Sequence, residues 1–198
     1  MSELLHYYAH PGHIKSRTNS VMNDRAAAVT GITKVDLFAD YPRYNIDIDK
    51  EQARLLAHDI ILFQFPLFWY SCPALMKEWI DLVLEHGFAF GENGDKLKDK
   101  LFVLAITTGG PQDAYAPDGY QLHALQSFLT PFQQTARLCQ MRYVAPYVQY
   151  DALRQNPAAH ADGFATLLKA LRDDQLDLDK ASAADVLTHD TLPLIKGA

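Results

Sequence analysis

The segment DIILFQFP, residues 59–66, is apolar almost from end to end. A strand with one wet face alternates apolar and polar residues, and this one has no polar face to give to water. It predicts a strand inside a parallel sheet with helices over both faces. LFVLAITTGG, residues 101–110, repeats the pattern and ends in small polar residues. Three further stretches read as strands: LLHYYAH at 4–10, ITKVDLF at 32–38 and YVAPYVQY at 143–150.

Between the strands the apolar period becomes that of a helix. One helix is expected over 17–30, and a short one follows a loop, with Asp47 or Asp49 as its N-cap. Over 73–86, Lys77, Glu78, Asp81 and Glu85 share one side of a helix. Leu75, Met76, Trp79, Ile80, Leu82 and Val83 take the rest, and Gly87 sits where the helix should stop. After the turn-rich connector GENGDKLKDK, helices are expected over about 120–141 and over 156–174, the latter with Asn156 and Pro157 as cap and first residue. Five strands alternating with helices make an α/β fold with a parallel sheet covered on both sides. Residues 177–198 read as a tail with little structure of its own.

A chain of 198 residues is one domain with a full core. Its net charge is −6 and its basic residues never run longer than a pair, so nucleic acid is not an expected partner. Gln64 and Pro66 interrupt the best apolar run, which is too short to span a membrane. MSELLHYYAH lacks the basic and apolar regions of a secretory leader. Cys72 and Cys139 are far apart with no CxxC, which fits a reducing cytoplasm and a packing role. The eight histidines are scattered, and His10 and His13 straddle a Pro-Gly turn, a poor geometry for zinc; no metal is expected.

In such sheets ligands bind outside the carboxyl ends of the strands. After the first strand come His10 and then Ser16, Arg17, Thr18 and Asn19 at a helix start, a natural phosphate seat of hydroxyls and unpaired amides. The same residues would also serve as a plain helix N-cap. There is neither a GxxxxGK[ST] nor a GxGxxG motif. After the third strand, Pro66, Leu67, Phe68, Trp69 and Tyr70 complete a run with five aromatics in the eight positions 63–70. Such density either fills a core or walls something flat. After the fourth strand, Thr107, Thr108, Gly109 and Gly110 offer hydroxyls and approachable amides. A phosphate seat, an aromatic wall and a glycine-rich rim together suggest a phosphorylated planar ring, a flavin.

At this point the motifs carry a resemblance: YAHP at 8–11, SRTN at 16–19, YPRYNIDI at 41–48, PLFWYSCPALMKEWID at 66–81 and TTGG at 107–110. In this order the chain, over roughly 3–175, resembles the flavodoxin-like NAD(P)H:quinone oxidoreductases, the family of DT-diaphorase. It is most similar to the ancillary oxidoreductase subunits of glutathione-gated bacterial potassium efflux systems. The resemblance implies a flavodoxin-like domain over 1–176, with strand order 2-1-3-4-5, followed by the 177–198 tail. It implies FMN, or alternatively FAD, held by His10 and Ser16 to Asn19. Pro66 to Tyr70 would contact the isoalloxazine, and Thr107 to Gly110 would line its pyrimidine side. NADPH or NADH would donate hydride and a quinone would accept two electrons in ping-pong order, with Tyr115 beside the reacting centre. Arg17, Arg43 or Lys15 could meet a 2′-phosphate.

Where mammalian members have a histidine six residues beyond that tyrosine, this chain has Gln121, and the nearest histidine is His123. A relay of protons would have to use His123, Tyr115 or water. The resemblance also implies a homodimer, with Phe88 and Phe90 in the contact. A potassium efflux transporter is an implied partner, which would bring a cytoplasmic protein to the inner membrane. Azo- or nitro-reduction, and a regulatory rather than catalytic role, are the alternatives.

Overall fold

Both apolar runs lie where their composition requires. In the computed structural model, which describes residues 1–12 and 16–195, they are the strands β3 (Ile60–Pro66) and β4 (Leu101–Thr107) at the centre of a parallel sheet. β1 (Leu4–Tyr8) pairs with β3 and, on its other side, with β2 (Thr33–Asp36). The order β2-β1-β3-β4-β5 is the one the resemblance implied. His13 and Lys15 lie outside the described residues.

Side-chain alternation sorts the strands into two cores. Leu5, Tyr7, Ile61, Phe63, Phe65, Leu104 and Ile106 face α3 (Ile48–Leu56), α4 (Ala74–Val83) and α5 (Leu125–Leu138). Leu4, Ile60, Leu62, Val103 and Ala105 face α1 (Thr18–Ala27) and α6 (Ala158–Arg172). In α4, Leu75, Met76, Trp79 and Val83 are buried, whereas Leu82 stays exposed. Phe88 and Phe90 pack half-buried against the first core, and Cys72 and Cys139 are buried thiols pushed up to about 11 by burial.

The first core contains one charge. Glu51 of α3 is fully buried, and its carboxylate accepts from Tyr7 Oη (2.5 Å), Tyr41 Oη (2.5 Å), Trp79 Nε1 (3.0 Å) and Arg54 Nη1 (2.5 Å). A buried carboxylate is tolerable only when so fully supplied with donors. This places Tyr41 of the YPRYNIDI motif: it ties the loop before α3 to the sheet.

Several boundaries differ from expectation for local reasons. The second strand ends early because Asp36 Oδ1 accepts from the amides of Phe38 (3.0 Å) and Ala39 (3.1 Å) and starts α2 (Leu37–Asp40). Of the two candidate caps of α3, Asp47 serves, accepting from the Lys50 amide at 3.0 Å. α5 starts at Leu125 rather than near residue 120, because the chain turns through Leu122 at φ +57°. The fifth strand is two short ones, β5 (Arg142–Tyr143) and β6 (Tyr147–Gln149), both paired with β4 and parted around Pro146, which has no N–H for a ladder.

The residues after 176, expected to hold little structure, contain α7 (Leu178–Ala183), capped by Asp177. Leu187 then joins the sheet edge: its amide donates to Pro146 O at 2.8 Å, and its carbonyl accepts from Val148 N at 2.9 Å. The edge strand β6 is thereby covered by the chain itself.

Candidate functional site

All parallel strands deliver their carboxyl ends to one edge of the sheet, and the connections there form a cleft of about 710 Å³. The first wall begins after β1. His10 Nδ1 accepts from the Gly12 amide at 3.1 Å, and the ring meets Phe68 edge-on with centroids 5.9 Å apart. Ser16 Oγ accepts from the Ser20 amide at 3.2 Å, while the N-cap residue itself, Arg17, makes no side-chain cap bond. The first-turn amides of Thr18 and Asn19 have no intrahelical acceptor, and no acidic residue occupies that turn. Thr18 and Asn19 spend their side chains within the protein: Thr18 Oγ1 donates to Ala152 O at 2.8 Å, and Asn19 Nδ2 to Thr107 Oγ1 at 2.7 Å.

The second wall answers the question the aromatic run raised. Phe63 and Phe65 are core, whereas Phe68 and Tyr70 are half-exposed and Trp69 is 92 % exposed. The Ser71 amide donates to Phe68 O at 3.0 Å, closing a turn with Trp69 (φ +48°) and Tyr70 (φ +64°) at its centre. Glycine or asparagine normally fills such positions, and left-handed backbone costs other residues ~1–2 kcal/mol each. Tyr70 stacks on Phe128 at 4.9 Å and donates its hydroxyl to Gln121 Oε1 at 3.1 Å. Gln121, standing where a histidine was of interest, is thus a support for Tyr70.

Beyond β4, Thr108 Oγ1 donates to Gly110 O at 2.9 Å. Tyr115 stands beside this turn, and burial raises the pKa of its phenol. Gly109 faces open space, while a side chain at Gly110 would press on the Tyr115 ring at 3.4 Å.

The cleft brings together His10, Ser16 to Asn19, Pro66 to Trp69 and Thr107 to Gly109. Tyr70, Gly110, Tyr115 and His123 stand beside it: Gly110 and Gln121 line an adjoining cavity of about 780 Å³, and exposed His123 meets Phe128 edge-on at 5.9 Å. Arg43 is exposed and does not line the cleft. Ala152 and Leu153, which do line it, were not expected. They follow the fifth strand, whose carboxyl end the same topological rule points to. Arg17 Nη1 donates to Leu153 O at 3.1 Å and closes that side. Among the described residues no carboxylate lines the cleft, although the chain carries −6 overall.

A doubly wound parallel sheet with a cleft at the carboxyl ends of its strands defines the class of α/β proteins in which that edge is the usual place for a ligand. The chain belongs to the flavodoxin-like fold family, whose model matches residues 2–174. It is 47 % identical to the glutathione-regulated potassium-efflux system ancillary protein KefG of Cronobacter sakazakii, over 78 % of this chain and 84 % of that one. A solved structure of general stress protein 14 from Treponema denticola, in complex with FMN, is 32 % identical with a TM-score of 0.78, covering 87 % of this chain and 98 % of the other. A proposed quinone reductase from Klebsiella pneumoniae is 25 % identical with a TM-score of 0.74, covering 86 % and 85 %. Among the described residues no helix is long and apolar enough to cross a membrane.

Proposed function

We propose that the chain is a flavin-dependent NAD(P)H:quinone oxidoreductase that takes FMN rather than FAD and works as a homodimer. The observation that carries this reading is the pairing, in one cleft, of an anion seat on α1 with the exposed face of Trp69. The residues fit the cofactor: first-turn amides without an intrahelical acceptor for a phosphate, apolar Leu67, Phe68 and Trp69 for a flat ring, and, among the described residues, no carboxylate to repel either. Likeness to a protein solved with FMN supports the choice of cofactor.

Bound flavin supplies two-electron exchange, accepting hydride from a nicotinamide and returning electrons to an acceptor. The chain contributes binding and orientation. Ser16 and the α1 amides hold the phosphate, with His10 at their edge and Arg17 clamped to Leu153 nearby. Trp69, held out by its left-handed turn, presents a plane. Thr107 to Gly110 bring hydroxyls and amides to the polar side of the ring, where negative charge would be stabilised. Half-buried Tyr115 and exposed His123 both meet Phe128 edge-on and would be the proton donors to a reduced quinone. The overall exchange consumes NAD(P)H, a proton and quinone, and yields NAD(P)⁺ and hydroquinone. Anaerobic NADPH should bleach the flavin bands within mixing time, and a benzoquinone should restore them. A flavin that resists both NADPH and NADH would refute a reductase.

The KefG likeness favours a second role, as the regulatory subunit of a glutathione-gated potassium efflux transporter at the inner membrane. Recovery of the full chain with membranes only when the transporter is present would establish it.

A further inference from the structure

Four polar side chains are buried and linked: His6 and Gln64 at 0 % exposure, Asn19 at 3 % and Thr107 at 5 %. Their hydrogen-bond polarity follows from chemistry alone. Asn19 O is a main-chain carbonyl and can only accept, so the Gln64 atom 2.8 Å from it is the amide nitrogen. Gln64 Oε1 is thereby turned to His6 Nε2, 3.0 Å away. An amide oxygen only accepts, so Nε2 carries the His6 proton and Nδ1 is bare, and buried Nδ1 has no partner among the described residues. Burial, which lowers the His6 pKa to about 4, agrees with a neutral ring.

At the other end, Asn19 Oδ1 takes a Gln64 N–H at 3.3 Å, which leaves the Asn19 amide nitrogen on Thr107 Oγ1 at 2.7 Å. That nitrogen only donates. The Thr107 oxygen accepts, and its own proton must leave in another direction. Among the described residues no protein acceptor takes that proton, and Thr107 lines the cleft.

We propose that this chain of bonds, from His6 through Gln64 and Asn19, fixes the Thr107 hydroxyl as a donor into the cleft and so selects a ligand with an acceptor atom at that point. The inference rests on the flavin reading, since the heteroatom-rich edge of the ring would supply the acceptor. His6 and Gln64 act through Thr107 and are positioning residues. The chain also joins β1, β3, β4 and the start of α1, so the seat for the phosphate and the donor to the ring are set by one buried unit.

Two measurements test it. Long-range ¹H–¹⁵N spectra of the histidine rings at pH 7 should show His6 protonated at Nε2, with or without ligand; protonation at Nδ1 would overturn the chain. FMN titrations should show Thr107→Val binding about tenfold more weakly than the natural protein, with Thr107→Ser within about twofold. Equal affinity of Thr107→Val and the natural protein would refute the selection while leaving the flavin reading intact. A natural protein that binds no FMN would sink the flavin reading and the selection with it.

Discussion

The two tryptophans, ten residues apart, sit in opposite circumstances. Trp79 is 1 % exposed, donates to Glu51 at 3.0 Å and packs against Tyr7 and Phe63 at 5.1 Å. Trp69 is 92 % exposed, with φ +48°. Around Glu51 every polar atom of the carboxylate is matched, and the region has nothing left over. Around Trp69 the chain carries backbone strain and apolar exposure, and across the cleft the first amides of α1 have no acceptor within the helix. Strain of that kind persists where the surroundings impose it, at positions that bind or react. The contrast is between a region complete by itself and one that the proposed ligand would complete.

The largest expected effect breaks the complete region. Glu51→Ala would leave the Tyr7, Tyr41 and Trp79 donors unpaired in the core, while Arg54 keeps Asp40 at 2.9 Å, and should cost about 3–5 kcal/mol in urea unfolding, without altering FMN affinity of the folded fraction. A cost under about 1 kcal/mol would show that the Glu51 cluster does not hold the α3 and α4 side of the sheet together.

Next comes acid. Burial lowers His6 to about 4 and His160, stacked on Tyr147, to about 3, so both are neutral in the fold. In the unfolded chain they take protons below about pH 6.5. Stability is therefore full above that pH and falls as the pH drops toward the folded values, by up to about 1.4 kcal/mol per pH unit for each ring. The urea midpoint should drop between about pH 7.5 and 5; a constant midpoint would contradict the neutral burial of these rings.

The smallest effect on stability sharpens the contrast from the other side. Trp69→Gly relieves a left-handed position, offset by glycine's greater freedom when unfolded, so the apo protein should hold its stability or gain up to about 1 kcal/mol. FMN affinity should nonetheless fall about tenfold with the loss of the plane. Thermal melts paired with fluorescence titration would show it, and a destabilised variant with unchanged affinity would reverse the assignment of Trp69.

The sequence displayed the sheet well because DIILFQFP and LFVLAIT are short apolar runs with no polar face, as interior strands are, and the order of strands then followed from the family resemblance. The lining of the cleft was legible where it obeys the rule of strand carboxyl ends, as for Ser16 to Asn19 and Thr107 to Gly109. Ala152 and Leu153 carry no side chain that declares a ligand, and they reach the cleft through carbonyls that hold Thr18 and Arg17. The Asp36 and Asp177 caps could have been read from VDLF and DLDK, but strand and tail patterns outweighed them. The joining of Leu187 to the β6 edge, and the link from His6 to Thr107 across 101 positions, are tertiary and have no local signature.

The central claim is that the cleft between α1 and the Trp69 turn is a flavin seat. The most direct test is the visible absorption spectrum of the purified protein, as isolated and after soaking with FMN and with FAD, followed by desalting. Flavin bands at one equivalent per chain, filled more readily by FMN, are the expected result. A spectrum without bands after both soaks would contradict the account of all the loops that build the cleft.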